Sequence, residues 1–114
     1  MKTKILFVCT ANENRSVSAE NLFKNKENLE VSSAGVHPLS RKPLTQEIIN
    51  WADIIVVMDE KRDNHKTILL QMYPNAKNKQ IIDLDIPDIY EKNNPELLEL
   101  IKKRMKEKGV IKNN

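Results

Sequence analysis

Short apolar runs and one-sided amphipathic stretches follow one another along this chain. Ile5-Leu6-Phe7-Val8 is a continuous apolar run of β-prone residues, the pattern of a strand buried on both faces of a parallel sheet. Residues 31–34, closed by Gly35, give a weaker second strand interrupted by Ser32 and Ser33. Residues 54–58 carry the strongest strand pattern, and residues 80–84 supply a fourth. Between these runs the period changes. Residues 18–24 place Ala19, Leu22 and Phe23 on one helical face, and Pro43 suits a first turn ahead of Leu44, Ile48 and Trp51. A third helix is expected from Asp59 or Glu60, with Ile68, Leu69 and Met72 facing inward and its end before Pro74. Asn94-Pro95-Glu96 joins an N-cap, a first-turn proline and an early acid ahead of Leu97, Leu98, Ile101 and Met105.

Four strands alternating with four helices imply an α/β fold, an open four-stranded parallel sheet with helices on both faces. Right-handed crossovers favour the strand order 2-1-3-4. Residues 1–108 read as a single domain and residues 109–114 as a frayed tail. In such sheets ligands bind beyond the carboxyl ends of the strands, where the chain order reverses. That point lies just after the first strand, at Cys9.

Composition narrows the class. In 114 residues, 39% are hydrophobic and 31% charged, values that favour neither a disordered nor a membrane protein. No stretch approaches the ~18 apolar residues of a membrane span, and the five apolar residues from Ile5 to Cys9 are too few for a signal peptide. A cytoplasmic protein is expected, acting as a monomer and without a membrane partner. A single cysteine rules out an intramolecular disulfide and leaves one thiol, either inert packing or a reagent. The net charge of +3 gathers in the basic run 102–108, which reads as a solvated helix face and does not indicate nucleic acid as a partner. His37 and His65 have no companion at metal-ligand spacing, so both read as surface histidines and no metal is expected. Trp51, Met58 and Met72 read as core. With two glycines and no glycine-rich nucleotide motif, no cofactor is expected.

The segment from Cys9 to Ser16 carries the chemistry. A cysteine ends the first strand and an arginine follows six residues later at a helix start. The intervening Thr10, Ala11, Asn12, Glu13 and Asn14 are enough to wrap backbone N–H groups into a nest for a phosphate dianion. Arg15 adds a permanently charged, bidentate fork suited to a transferring phosphoryl group. The same positive field favours the Cys9 thiolate, to which Ser16 is placed to donate a hydrogen bond. Asn12 tolerates the left-handed backbone angles such a loop needs. The competing reading is a buried cysteine beside an ordinary helix cap. An Arg-Ser pair at this offset, at a topological switch point, favours the anion site. A general acid is also needed, and Asp83, Asp85 and Asp88 follow the fourth strand. Spacing alone leaves Asp85 and Asp88 open.

These features resemble the low-molecular-weight protein tyrosine phosphatase family. The matching residues are Ile5 to Cys9, Asn12, Arg15-Ser16 with Ala19-Glu20, Ser33-Ala34-Gly35, Ala52-Asp53, Val57-Met58-Asp59 and Asp85-Ile86-Pro87-Asp88-Ile89-Tyr90. The last segment, followed by Asn94-Pro95-Glu96-Leu97-Leu98, looks most like a compact bacterial branch of predicted phosphatases. The resemblance implies Cys9 as nucleophile, Arg15 as transition-state clamp, Asp88 as general acid and Tyr90 as a wall for an aromatic leaving group. The implied substrate is a phosphorylated protein or small aryl phosphate. Ala11 stands where the family usually has glycine, Asn14 where it has a second cysteine and Val17 where it has proline. Glu13 places a carboxylate on the loop of an anion site. The alternatives are a phosphate-binding regulatory module that has lost turnover and, against the presence of Arg15, a phosphocarrier. Arsenate reductases share the first loop, but the cysteine relay of one major class is absent here.

Overall fold

The computed structural model describes residues 2–112. Its elements are β1 (Thr3–Cys9), α1 (Arg15–Phe23), β2 (Leu29–Gly35), α2 (Gln46–Trp51), β3 (Ile54–Val57), α3 (Glu60–Asp63), α4 (His65–Met72), β4 (Gln80–Asp83) and α5 (Pro95–Glu107), with a 3-10 turn at Pro74–Asn78. The four strands form one sheet in the order β2-β1-β3-β4, every pair parallel. This is the α/β topology that the alternation of runs implies.

The central strand explains the core. Ile5 to Cys9 are all buried, and their side chains alternate between two clusters. Ile5, Phe7 and Cys9 join Ala19 and Phe23 of α1 and Leu97, Ile101 and Met105 of α5 on one face. Leu6 and Val8 join Ile49 of α2 and Leu69 of α4 on the other. Each face of the sheet therefore has its own helical cover, and the loop after β1 emerges between the two layers.

Three boundaries differ from the sequence pattern. Pro43 lies in an isolated bridge with Gly35, ahead of α2. That helix starts after Thr45, whose hydroxyl accepts the Ile48 N–H at 3.1 Å, with Leu44 and Ile49 buried in one cluster on either side of the cap. The expected third helix is two: Asn64, at φ 56°, takes a left-handed conformation between α3 and α4. The bend reorients α4, so that Met72 is 40% exposed and His65 is fully buried, the reverse of both expectations. Beyond α5, the Val110 N–H bonds the Met105 carbonyl at 2.9 Å, and Val110 and Ile111 pack on the core where a frayed tail is expected. Residues 113 and 114 of that segment lie outside the described residues.

Candidate active site

The loop after β1 is held by its carbonyls. Those of Cys9, Thr10 and Ala11 accept the N–H groups of Val36, His37 and Arg41 at 2.9, 3.0 and 3.1 Å. A trans peptide carries its C=O and N–H on opposite sides, so the amides of Thr10, Ala11 and Asn12 turn away from that flank. Asn12, at φ 56°, makes the bend. Gly35 is required by proximity, since a Cβ there would stand 2.6 Å from the Thr10 carbonyl oxygen. The result is a small cavity of about 100 Å³ lined by Cys9, Thr10, Ala11, Glu13, Asn14, Arg15 and Asp88. A larger groove of about 670 Å³ lies at the opposite end of the sheet, between α1 and α5, remote from the thiol.

A directed chain of hydrogen bonds reaches the sulfur. Glu20 Oε1 accepts from Ser33 Oγ at 2.5 Å, so the Ser33 oxygen is left to accept from Asn12 Nδ2 at 2.9 Å. The same amide nitrogen donates to Ser16 Oγ at 3.0 Å, and Ser16 Oγ lies 2.9 Å from Cys9 Sγ. With Asn12 donating to its oxygen, the Ser16 hydroxyl keeps its own proton free to donate to the Cys9 sulfur. Cys9, Asn12, Ser16 and Ser33 are all buried. The two serines that weakened the strand pattern of β2 are thus explained in part by the site: Ser33 belongs to this chain.

Arg15 opens α1 and is 2% exposed. Its Nη1 donates to the Ile86 carbonyl at 2.9 Å and forms a 2.8 Å ion pair with Asp63 Oδ2, out of line for a hydrogen bond. Asp59 Oδ2 is 4.0 Å away, and Asp88 Oδ1 lies 3.7 Å from Nε. One corner of the guanidinium is therefore anchored while its Nε edge faces Asp88. Asp85 turns elsewhere: its carboxylate meets Arg62 Nη1 at 3.0 Å and Lys61 Nζ at 3.8 Å. Slight desolvation would raise the Asp85 carboxyl, but the Arg62 hydrogen bond and the Lys61 and Arg62 charges together hold it below its ordinary value. Glu13 is exposed at the cavity rim. Tyr90 is half-buried against the core cluster of β1 and α5, apart from the residues lining the cavity.

Sequence reasoning missed four supporting residues: Glu20, Asp59 and Asp63, which hold other side chains, and His65. The His65 ring spans two elements of the site, with Nδ1 accepting the Asp59 N–H at 3.0 Å and Nε2 2.9 Å from Thr10 Oγ1. Burial, joined by the Arg15 charge, pushes the imidazole down to about 4 against the opposing pull of Asp63, Asp59 and Asp83. Glu20 and Asp59 fall within the segments that resemble the family; Asp63 and His65 have no such local signal.

A cysteine at the end of the central strand, a nest of backbone amides and a buried arginine at the following helix start define a cysteine-dependent phosphatase. The family model of low molecular weight phosphotyrosine protein phosphatases matches residues 4–49. A protein-arginine-phosphatase of Geobacillus stearothermophilus is 33% identical over 103 residues, covering 69% of this chain and 68% of that protein. The solved YwlE arginine phosphatase of the same organism is 29% identical, covers 93% of this chain and 92% of its own, and superposes with a TM-score of 0.72. The low molecular weight protein tyrosine phosphatase of Streptococcus pyogenes shares the fold with a TM-score of 0.78 at 20% identity, covering 100% of this chain and 95% of its own. The chain belongs to the low-molecular-weight protein tyrosine phosphatase family. Among the described residues no helix is long and apolar enough to cross a membrane.

Proposed function

We propose that Cys9 is the nucleophile, Arg15 the transition-state clamp and Asp88 the general acid in the hydrolysis of a phosphorylated protein or small aryl phosphate. The Cys9 sulfur attacks phosphorus in line; an S–P bond forms as the bond to the leaving oxygen breaks, and Asp88 gives that oxygen its proton. Water then attacks phosphorus, Asp88 takes its proton, and the thiolate leaves. The loop amides of Thr10, Ala11, Asn12, Glu13 and Asn14, with the Arg15 fork, hold the equatorial oxygens, and Ser16 stabilises the sulfur as attacking and as leaving group. Tyr90, half-buried against the core of β1 and α5 and apart from the cavity lining, has no part in this scheme. The reaction needs no metal or cofactor, and the protein acts as a cytoplasmic monomer without nucleic acid; a lone cysteine suits a reducing compartment.

The observation that carries this reading is the meeting of a hydrogen-bonded sulfur, a buried guanidinium and an exposed carboxylate around one phosphate-sized cavity. Asp88 is preferred to Asp85 because it lines that cavity, whereas Asp85 is paired with Arg62 and held below its ordinary value, which suits a proton donor poorly. Leaving-group dependence tests the assignment. Asp88→Asn should lose about 10²–10⁴ in rate on phenyl phosphate and far less on nitrophenyl phosphate. Asp85→Asn should show no such dependence. The steep dependence appearing in Asp85→Asn instead would overturn the acid assignment. No turnover by the wild-type protein would favour a binding module.

Glu13 supports a second reading of the substrate. A carboxylate at the rim of an anion site repels a bare phosphate ester but attracts a positive charge beside the phosphoryl group. The arginine phosphatases to which the chain is similar act on such a group. A phosphoryl group carried on a guanidinium, as in phosphoarginine, fits this rim.

A further inference from the structure

We propose that His65 is a positioning residue of the catalytic loop, holding the Thr10 hydroxyl so that its proton is presented to phosphoryl oxygens bound beside Cys9. The inference rests on the reading of the loop from Cys9 to Arg15 as the phosphate site. It assigns a task to a buried titratable group that the mechanism above does not use.

The tautomer follows from the partners. A neutral imidazole has one donor and one acceptor nitrogen. Nδ1 lies 3.0 Å from the Asp59 backbone nitrogen, whose N–H is a donor, so Nδ1 is the acceptor and the ring proton sits on Nε2. Nε2 is 2.9 Å from Thr10 Oγ1, and the bond can run only from the ring to the hydroxyl. Thr10 Oγ1 thus accepts from His65 and keeps its own proton for another acceptor. Thr10 is the first residue after the nucleophile, lines the cavity and is half-buried, so the acceptor within reach when substrate is present is a phosphoryl oxygen.

The placement is not that of a packing residue. His65 is fully buried, and its ring proton is spent on a side chain of the anion loop. The same turn of chain also supplies Asp59 and Asp63, the carboxylates around Arg15 Nη1. One short segment between β3 and α4 therefore orients both the side-chain hydroxyl and the guanidinium that face the phosphoryl group.

The test separates the two bonds of the ring. His65→Asn keeps an acceptor near the Nδ1 position and loses the donor to Thr10, and His65→Gln does the reverse. Thr10→Val removes the hydroxyl at nearly constant shape and Thr10→Ser retains it. A hydrogen bond to a charged oxygen corresponds to about tenfold or more in affinity. Inorganic phosphate, measured as a competitive inhibitor, should bind about that much more weakly to His65→Asn and to Thr10→Val, while His65→Gln and Thr10→Ser stay near wild type. The double variant His65→Asn/Thr10→Val should be no worse than Thr10→Val alone. Equal losses from His65→Asn with and without the Thr10 hydroxyl would overturn the proposal, because His65 would then act on the fold. So would unchanged phosphate inhibition in His65→Asn. If the wild-type protein binds no phosphate, or Arg15→Ala binds it as well as wild type does, the phosphate-site reading itself falls and this proposal with it. Should His65→Asn fail to fold, the ring Nε2–H resonance of the wild-type protein carries the test: it moves on phosphate addition in wild type and not in Thr10→Val if the bond is as described, and responds equally in both if it is not.

Discussion

Acidification should weaken the fold through His65, over a pH range fixed by the difference between its free and buried imidazole. The ordinary value is 6.5 and the folded one about 4, because burial and the Arg15 charge outweigh Asp63, Asp59 and Asp83. As pH falls below 6.5 the unfolded chain takes up a proton on His65 that the native state refuses, so the unfolded state is favoured. The stabilisation is complete above 6.5 and is lost progressively down to about 4, at a limiting slope of about 1.4 kcal/mol per pH unit. Over the whole range the loss comes to roughly 3 kcal/mol, a large share of the ~5–15 kcal/mol that holds a domain folded. Urea unfolding of the wild-type protein and of His65→Asn from pH 7.5 to 4 isolates this contribution, since the carboxylates titrate in both. The stability difference between them should change in favour of the variant by about that amount, with the change concentrated between pH 6.5 and 4. The ring resonances of His65 should also stay flat down to pH 5. Parallel stability profiles, or a ring that titrates near 6.5 in the native protein, would refute the reasoning.

Inorganic phosphate at tens of millimolar should raise the Tm of the wild-type protein and of Cys9→Ser, because a ligand of the native state alone stabilises it in proportion to RT ln(1 + [L]/Kd). Arg15→Ala should lose most of that rise, as thermal melts with and without phosphate will show. Glu13→Gln should lower KM for aryl phosphates with little change in kcat, and raise KM for a phosphoryl group on a guanidinium; steady-state kinetics on the two substrate types decide between the readings. Gly35→Ala should destabilise the fold by about 1–3 kcal/mol and weaken phosphate binding together, since the added carbon meets the Thr10 carbonyl oxygen at 2.6 Å and presses on the catalytic loop. Calorimetry and phosphate inhibition measured on one preparation check that coupling.

How much of the architecture was legible depends on where each element gets its stability. β1 and β3 were plain because their central place in the sheet demands apolar residues on both faces, and that demand is written locally. β2 was blurred because Ser32 and Ser33 are buried polar residues whose partners come from distant segments: Lys42 for Ser32, and Asn12 and Glu20 for Ser33. The break at Asn64 was illegible for a different reason. Residues 59–72 carry a helical pattern throughout, and a single residue at φ 56° resets the phase of the second half. That one angle moves Met72 outward and His65 inward.

The site divides along the same line. The loop from Cys9 to Ser16 could be found because its chemistry depends on spacing within eight consecutive residues, and a nest followed by a helix is a local object. What orients that loop is not local. One carboxylate that accepts and cannot donate sets the Ser33 proton and with it the Asn12 amide that donates to Ser16, and the Thr10 hydroxyl is set by a backbone N–H on the far side of an imidazole. Such assignments need donor and acceptor partners at known distances, which only the folded chain supplies. The choice between Asp85 and Asp88 has the same origin. The two residues lie three apart on one loop and are chemically alike, yet Asp85, at φ 55°, faces Arg62 and Lys61, and Asp88 faces Arg15. The physical difference between a spectator carboxylate and a candidate acid is therefore the cation each one meets: Arg62 and Lys61 lie outside the cavity lining, whereas Arg15 is the cation that a bound phosphoryl group would share.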